Sequence, residues 1–281
     1  MRYSKKFLMV FAAAGVILLA GGCQKQTILP DLSDLGTITA VSREDGSGTR
    51  AEFEALIHLS GNDNAKTASS TDEMIRMVSD TPGSIGYVAF SSMSQENGVK
   101  LLSVDGVSPA SETIKNGKYP LCREYLLAYT GELNAAESDF LSYVKTAGQS
   151  IVGETCIPIA KADTFLSDQS SGNIHISGSS SMMPIVAALA EAYQTYNPHV
   201  EITVDTTDST TGLNDVLEGT CDLAMSSRAL KDYEKELLQT QVIGKDAIAV
   251  IVSEKNPLTD LSTKQIGEIY KNTYEKWSDV K

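Results

Sequence analysis

Positive charge and aromatic side chains are both scarce in this sequence. Lysine and arginine total 23 against 36 aspartates and glutamates, a formal charge of −13, and only 6% of the 281 residues are aromatic, with one tryptophan. A chain so acidic offers no basic surface for a phosphate backbone, so nucleic acid is excluded as an expected partner. The three histidines, His58, His175 and His199, stand apart from cysteines and acidic residues at ligand spacing, so no metal site and no cofactor emerges. No serine lies in a nucleophile-elbow pattern, and base, nucleophile and metal are missing together, so the chain is not read as an enzyme. A long apolar run is lacking too. The stretch from Phe7 to Ala20 falls short of the ~20 residues that a bilayer-spanning helix needs.

That short run has another reading. Arg2, Lys5 and Lys6 precede it, and Leu19-Ala20-Gly21-Gly22-Cys23 follows. Residues 1–22 are therefore expected to be a signal peptide. The last five residues resemble a bacterial lipobox, which implies cleavage before Cys23, a diacylglycerol on its sulfur and a palmitate-type anchor. The product is expected at the cell membrane on its extracytoplasmic face, with 23–35 as a linker. Losing three basic residues deepens the acidic excess. Cys122, Cys156 and Cys221 remain, an odd number in a compartment that permits disulfides, and a Cys122–Cys156 bridge stays open.

What the sequence does have is a set of hydroxyl-rich turns ahead of helices. Ser42-Arg43-Glu44-Asp45-Gly46-Ser47-Gly48-Thr49-Arg50 precedes Phe53, Leu56, Ile57 and Leu59 at nearly helical spacing, so a helix is predicted to begin near Thr49. The first N–H groups of a helix have no partners within it and carry the positive end of its dipole, so a small oxyanion seated there meets several donors. Gly46 and Gly48 permit close backbone approach, Ser47 and Thr49 add hydroxyls, Arg43 offers a bidentate fork, and Asp45 is placed to orient that fork. An ordinary turn with a helix cap has the same composition.

Three more turns repeat the pattern. A strand at Ile174–Ile176 leads through Ser177-Gly178-Ser179-Ser180-Ser181 into a helix carrying Ile185, Leu189 and Tyr193. An alternating strand at Val200, Ile202 and Val204 leads through Asp208-Ser209-Thr210-Thr211-Gly212 into Leu213, Val216 and Leu217. Leu223-Ala224-Met225 ends in Ser226-Ser227-Arg228 before Leu230, Tyr233, Leu237 and Leu238. Any one of these is a plain N-cap when taken alone. Four strand-loop-helix units with hydroxyls at the same end argue for one site beyond the carboxyl ends of the strands, in an α/β fold.

Together these loops resemble the PstS-type phosphate-binding proteins of bacterial ABC importers, and the similarity runs from about Gly36 to Lys281. It implies a two-lobed, periplasmic-binding-protein-like (type II) α/β fold with two hinge crossings, here Tyr119 to Thr130 and Gln241 to Ser253. Residues 36–281 would form the binding domain, with one lobe at about 36–118 plus 246–281 and the other at about 119–245. The segments stand in reverse order relative to the family, which implies a circular permutation, with Lys161 to Ser171 bridging the old ends and Trp277 lying close to Ile38. A rearranged or truncated tandem would give the same order. Carried over residue by residue, the resemblance places Arg43, Ser47, Gly48 and Thr49 on phosphate from one lobe. Ser180, Ser181, Met182, Ser209, Ser226 and Ser227 would complete the shell from the other. Some family members have an aspartate where Ser227 stands, accepting the proton of phosphate, and Asp45 or Asp208 is the candidate replacement. The implied function is that of a monomeric, lipid-anchored carrier handing inorganic phosphate to a membrane permease. A binder of tungstate, molybdate or sulfate, and a phosphate sensor without transport, are the alternatives.

Overall fold

A computed structural model of the chain describes residues 30–59, 65–93 and 98–280. The expected signal peptide, Cys23 and most of the linker lie outside the described residues. No helix among the described residues is long and apolar enough to cross a membrane.

The first part of the chain runs β1 (Thr39–Arg43), α1 (Gly48–Leu56), β2 (Lys66–Ala68), α2 (Thr71–Ser79), β3 (Ser84–Ala89), β4 (Val99–Leu101), β5 (Ser103–Val104) and α3 (Ser111–Lys115). After β6 (Cys122–Tyr129) come α4 (Ala135–Lys145), α5 (Gln149–Thr155), β7 (Ile157–Pro158), β8 (Gly172–Ser179), α6 (Met183–Tyr196), β9 (Val200–Thr207), α7 (Ser209–Glu218), β10 (Leu223–Ser226) and α8 (Asp232–Leu237). The long β11 (Gln239–Ser253) leads to β12 (Asp260–Leu261) and α9 (Thr263–Tyr270). Short polar side chains start the helices by accepting from free N–H groups. Ser47 takes the N–H of Arg50, Ser70 that of Glu73, Asn134 that of Glu137, and Ser262 that of Gln265. Gly219, in the left-handed region at φ 72°, ends α7.

The main sheet has the order β2-β1-β3-β11-β6-β10-β8-β9. Its two wings, β2-β1-β3 and β10-β8-β9, are each internally parallel. Between them lies an antiparallel centre. β11 pairs with β6 over Gln239–Ala247 and then with β3 over Ile248–Val252. One 15-residue strand, at the expected crossing Gln241 to Ser253, thus joins the two halves of the sheet, and β6, at the expected crossing Tyr119 to Thr130, runs beside it. The first wing packs Val41, Phe53, Tyr87, Val250, Tyr270 and Trp277 into one core. The second packs Leu127, Phe140, Ile176, Leu189 and Tyr193 on one face and Leu126, Leu213, Val216 and Leu230 on the other.

Two joins in the chain differ in an instructive way. Near its end, Trp277 donates its backbone N–H to Gly36 O and its indole N–H to Gly83 O, while Ile38 N–H reaches Glu275 O. This is the adjacency of Trp277 and Ile38 that the sequence suggests. The stretch Lys161–Ser171, expected as a polar linker bridging the old ends, is pinned along its course: Ser167 donates to Asp139 at 2.6 Å, Asn197 donates to Ser170 O at 2.9 Å, and Phe165 packs edge-on to Tyr143. Leu32 is likewise buried in the first core, so the end of the 23–35 segment is docked. Cys122, Cys156 and Cys221 are all free thiols.

Candidate functional site

The carboxyl ends of β1, β8 and β10 bring the hydroxyl-rich turns to the seam between the two wings. Thr49, in the first turn of α1, lies 2.9 Å from Ser181 across the seam, oxygen to oxygen. Ser209, the first residue of α7, accepts the N–H of Ser227 at 3.1 Å, and their hydroxyls are 3.3 Å apart. Ser179 donates to the Ser227 hydroxyl at 2.9 Å. All five of these hydroxyls are buried. Gly48 is where the fit is tightest. A Cβ there would lie 2.7 Å from Ser227 Oγ and closer still to Ser209 Oγ, so only glycine lets α1 approach the opposite turns this closely.

Arg43, at the end of β1, is held on several sides. Its Nε and Nη2 make 2.7 Å bonds to the two carboxylate oxygens of Glu44, its Nη1 reaches Thr71 at 3.3 Å, and its Nη2 reaches Ser180 across the seam at 3.2 Å. Its backbone N–H donates to Tyr87 OH, which also bonds Ser42 at 2.8 Å. Burial pushes the Tyr87 phenol up to about 12, against the pull of those two hydrogen bonds, so it stays neutral.

Several sequence expectations are corrected. Glu44, not Asp45, orients the Arg43 fork; the side chain of Asp45 is 97% exposed and pairs with Arg50. Asp208 is engaged as the cap of α7, with Oδ1 taking the N–H groups of Thr210 and Thr211 and Oδ2 the Thr211 hydroxyl. Ser226 turns away: its hydroxyl donates to Arg228 O and shapes the turn. Ser47 caps its own helix, and Met182 buries its side chain in the second core with its N–H on Ser179 O. Arg43, Gly48, Thr49, Ser180, Ser181, Ser209 and Ser227 are the expected residues whose side chains, or Cα at Gly48, meet across the seam.

The residues that sequence reasoning missed lie beneath them. Arg123, on β6, has a fully buried side chain; its Nη1 donates to Thr49 Oγ1 at 2.8 Å and to Ser227 O at 3.2 Å. Its Nε and Nη2 bond Asp246 Oδ2, on β11, at 3.0 and 2.9 Å. Tyr125 OH donates to the same oxygen at 2.8 Å, and Ser91 N–H donates to the other at 3.0 Å. Burial works against the Arg123 charge, but Tyr125 and Asp246 outweigh it, and the guanidinium is held above its ordinary range. One charged network thus joins both crossing strands to a hydroxyl of the seam. The available signal was a pair of opposite charges, Arg123 and Asp246, each at the edge of an apolar run that reads as buried strand.

A family model described as a PBP superfamily domain matches residues 24–146 and 163–281. Phosphate-binding protein PstS 2 of Streptococcus agalactiae is 34% identical over 292 aligned residues, covering 98% of each chain. The protein of the same name from Streptococcus pneumoniae is 31% identical, covering 98% of this chain and 100% of its own. The chain belongs to the PstS-type phosphate-binding proteins. A crystal structure of a phosphate-binding protein of a phosphate ABC transporter from Streptococcus pneumoniae superposes on it with a TM-score of 0.72 at 30% identity, covering 88% of this chain and 100% of the other. The two-winged sheet with its shared central strands is accordingly the α/β fold of the PBP superfamily, and the hydroxyl seam of this PstS-type chain lies between the wings.

Proposed function

We propose that this chain is an extracytoplasmic solute-binding protein that captures inorganic phosphate and delivers it to the permease of a phosphate ABC transporter. One observation carries the reading. Hydroxyls from four separate turns, with a guanidinium on each side, meet at the seam between two independent cores, where helices α1 and α7 begin. Helix N-termini, hydroxyls and arginine are what a tetrahedral oxyanion needs in a protein whose overall charge repels it. The proposed contacts are Arg43, Thr49, Ser180, Ser181, Ser209 and Ser227, with the backbone N–H of Gly48 at the start of α1. The chain performs no chemistry on its ligand and needs no cofactor.

The lobes in this reading are 36–118 with 246–281, and 119–245, hinged at β6 and β11, and phosphate holds them closed. The segment order is that of a circular permutant acting as a monomer, a reading supported by the Trp277–Gly36 contacts and by the pinned 161–171 bridge. Cys23 carries the lipid anchor. Isothermal titration of the purified protein with phosphate tests the assignment: saturable one-to-one heat is expected, and silence with phosphate, sulfate, molybdate and tungstate alike would overturn it. A second reading, a carrier for another tetrahedral oxyanion, is favoured by one feature, the engagement of every carboxylate bonded at the seam.

A further inference from the structure

Two kinds of bond cross the seam. The first joins the hydroxyls of the turns and the guanidiniums beside them. The second lies next to these and uses none of the proposed phosphate contacts. Gly46 O, in the turn ahead of α1, accepts both the backbone N–H and the hydroxyl of Thr210, in the first turn of α7, at 3.2 and 3.1 Å. Glu52 Oε2, on α1, accepts the N–H of Ala229 from the turn ahead of α8 at 2.9 Å. The approach is tight. A Cβ on Gly46 would lie 2.5 Å from Asp208 Oδ1 across the seam, and Gly46 itself stands at φ 88°, in the left-handed region.

The donors on the second wing are aimed by a frame of their own. Arg228 and Glu234 are both buried and paired by two bonds of 2.7 and 2.8 Å, the bidentate geometry that fixes direction as well as charge. The same guanidinium donates to Ala229 O at 3.0 Å and reaches Thr210 Oγ1 at 3.4 Å, while Glu234 Oε2 accepts the N–H of Lys231 at 2.7 Å. The Ala229 N–H and the Thr210 hydroxyl are therefore held in place from behind. Asp208 steadies Thr210 as the cap of α7. The other charges at this rim bond within their own wing: Arg50 pairs with Asp45 and Glu54, and Lys231 lies 5.9 Å over the Tyr233 ring.

We propose that the Gly46–Thr210 and Glu52–Ala229 bonds form a closure latch, aimed by Arg228 and Glu234, which sets how tightly phosphate is held and how fast it leaves without touching it. The latch rests on the phosphate reading and the two lobes proposed above. Gly46, Glu52, Thr210 and Arg228 are positioning residues. The apparent dissociation constant is the intrinsic one divided by the fraction of molecules in the binding-competent arrangement, so bonds made only on closure raise affinity through that fraction. Gly46, Glu52 and Thr210 are half-buried and Ala229 is exposed, so each bond is partly hydrated and its contribution modest. Such bonds hold a lobe shut and still let it open.

Calorimetry and stopped-flow kinetics with inorganic phosphate test this on the purified protein. Thr210→Val keeps the side-chain shape and removes the hydroxyl, and Glu52→Ala removes the second acceptor. The double variant should bind phosphate about tenfold more weakly, with the loss in a faster dissociation rate and the association rate within about twofold of the unmodified protein. Thr211→Val is the control, since its hydroxyl bonds Asp208 in its own turn, and it should stay within about twofold. Three results overturn the latch and leave the phosphate reading intact: an unchanged dissociation constant in the double variant, a loss carried by the association rate, or an equal loss in Thr211→Val. No binding of phosphate by the unmodified protein overturns both. Where the double variant does not fold, Glu52→Ala alone decides, with about threefold faster dissociation expected and an unchanged rate against the latch.

Discussion

Two arginine–carboxylate pairs lie on either side of the seam, and they differ in almost everything except chemistry. Arg123 and Asp246 are far apart in sequence, sit on the two crossing strands and have no exposed side-chain surface. Arg43 and Glu44 are neighbours on one strand end, and the Glu44 side chain keeps 26% of its surface in solvent. Desolvation decides what each pair is for. A pair shut away from water costs several kcal/mol per ion unless every lone pair and proton is matched, and Arg123–Asp246 meets that condition with Tyr125, Ser91, Thr49 and Ser227. It fixes where the two wings meet. Arg43–Glu44 is partly hydrated on the Glu44 side and can exchange one partner for another at modest cost, which suits a guanidinium that reaches across the seam to Ser180 and that is proposed as an anion contact. One pair holds the hinge; the other works at the mouth.

The difference predicts opposite phenotypes. Asp246→Ala strands a buried guanidinium and should cost about 3–5 kcal/mol of unfolding free energy, measured by urea or thermal denaturation. A loss below about 1 kcal/mol would mean the hinge pair is no more than a surface bridge. Arg43→Ala should do the reverse: phosphate affinity falls by about 1.5–3 kcal/mol, the scale of a hydrogen bond to a charged group, while the denaturation midpoint barely moves. An unchanged dissociation constant would remove Arg43 from the site. Gly48→Ala asks whether the seam itself must close. The added methyl meets Ser209 and Ser227, so overpacking of about 1–3 kcal/mol should appear as lost phosphate affinity, with the first core unaffected. Wild-type binding by this variant would show that α1 and α7 need not meet as they do here.

How much of this was legible beforehand follows from the same contrast. The mouth was readable because its chemistry is local. Arg43, Ser47, Gly48 and Thr49 stand in one stretch, and a helix start announces itself through caps and apolar spacing. The triple-serine turn and the loops at Ser209 and Ser227 were readable for the same reason, and the fold class followed from strands alternating with helices. The hinge pair was not readable, since 122 residues of chain separate Arg123 from Asp246 and only the antiparallel register of β6 against β11 sets Asp246 opposite Arg123. Side-chain direction also escaped. Ser226 and Ser227 are equivalent in sequence, yet the pleat sends one hydroxyl into the turn and the other into the seam. Glu44 and Asp45 were equally available to Arg43, and only the path of the turn decides between them.

A third pair, far from the seam, sets the lower limit of the comparison. His175 on β8 bonds Asp205 on β9 through Nε2 at 2.8 Å and Thr220 O through Nδ1 at 3.0 Å, with 39% and 59% of the two side chains exposed. Both ring nitrogens face acceptors, which only the protonated ring satisfies as a double donor. The hydrogen bond to Asp205 is the main cause that raises the pKa of His175 above its ordinary 6.5. The sign follows. A group whose folded pKa is raised stabilises fully below its unfolded pKa, and the contribution fades as pH climbs through the folded value. Solvent screening keeps the effect small, so Asp205→Asn should lower stability by roughly 0.2–1 kcal/mol at pH 6, with the gap closing by pH 8.5. Denaturant midpoints of the two proteins at both pH values measure it. A gap that persists at pH 8.5 would assign the loss to packing at the strand pair and not to charge, and a gap as large as that of Asp246→Ala would erase the distinction between buried and exposed pairs on which the reading of the hinge depends.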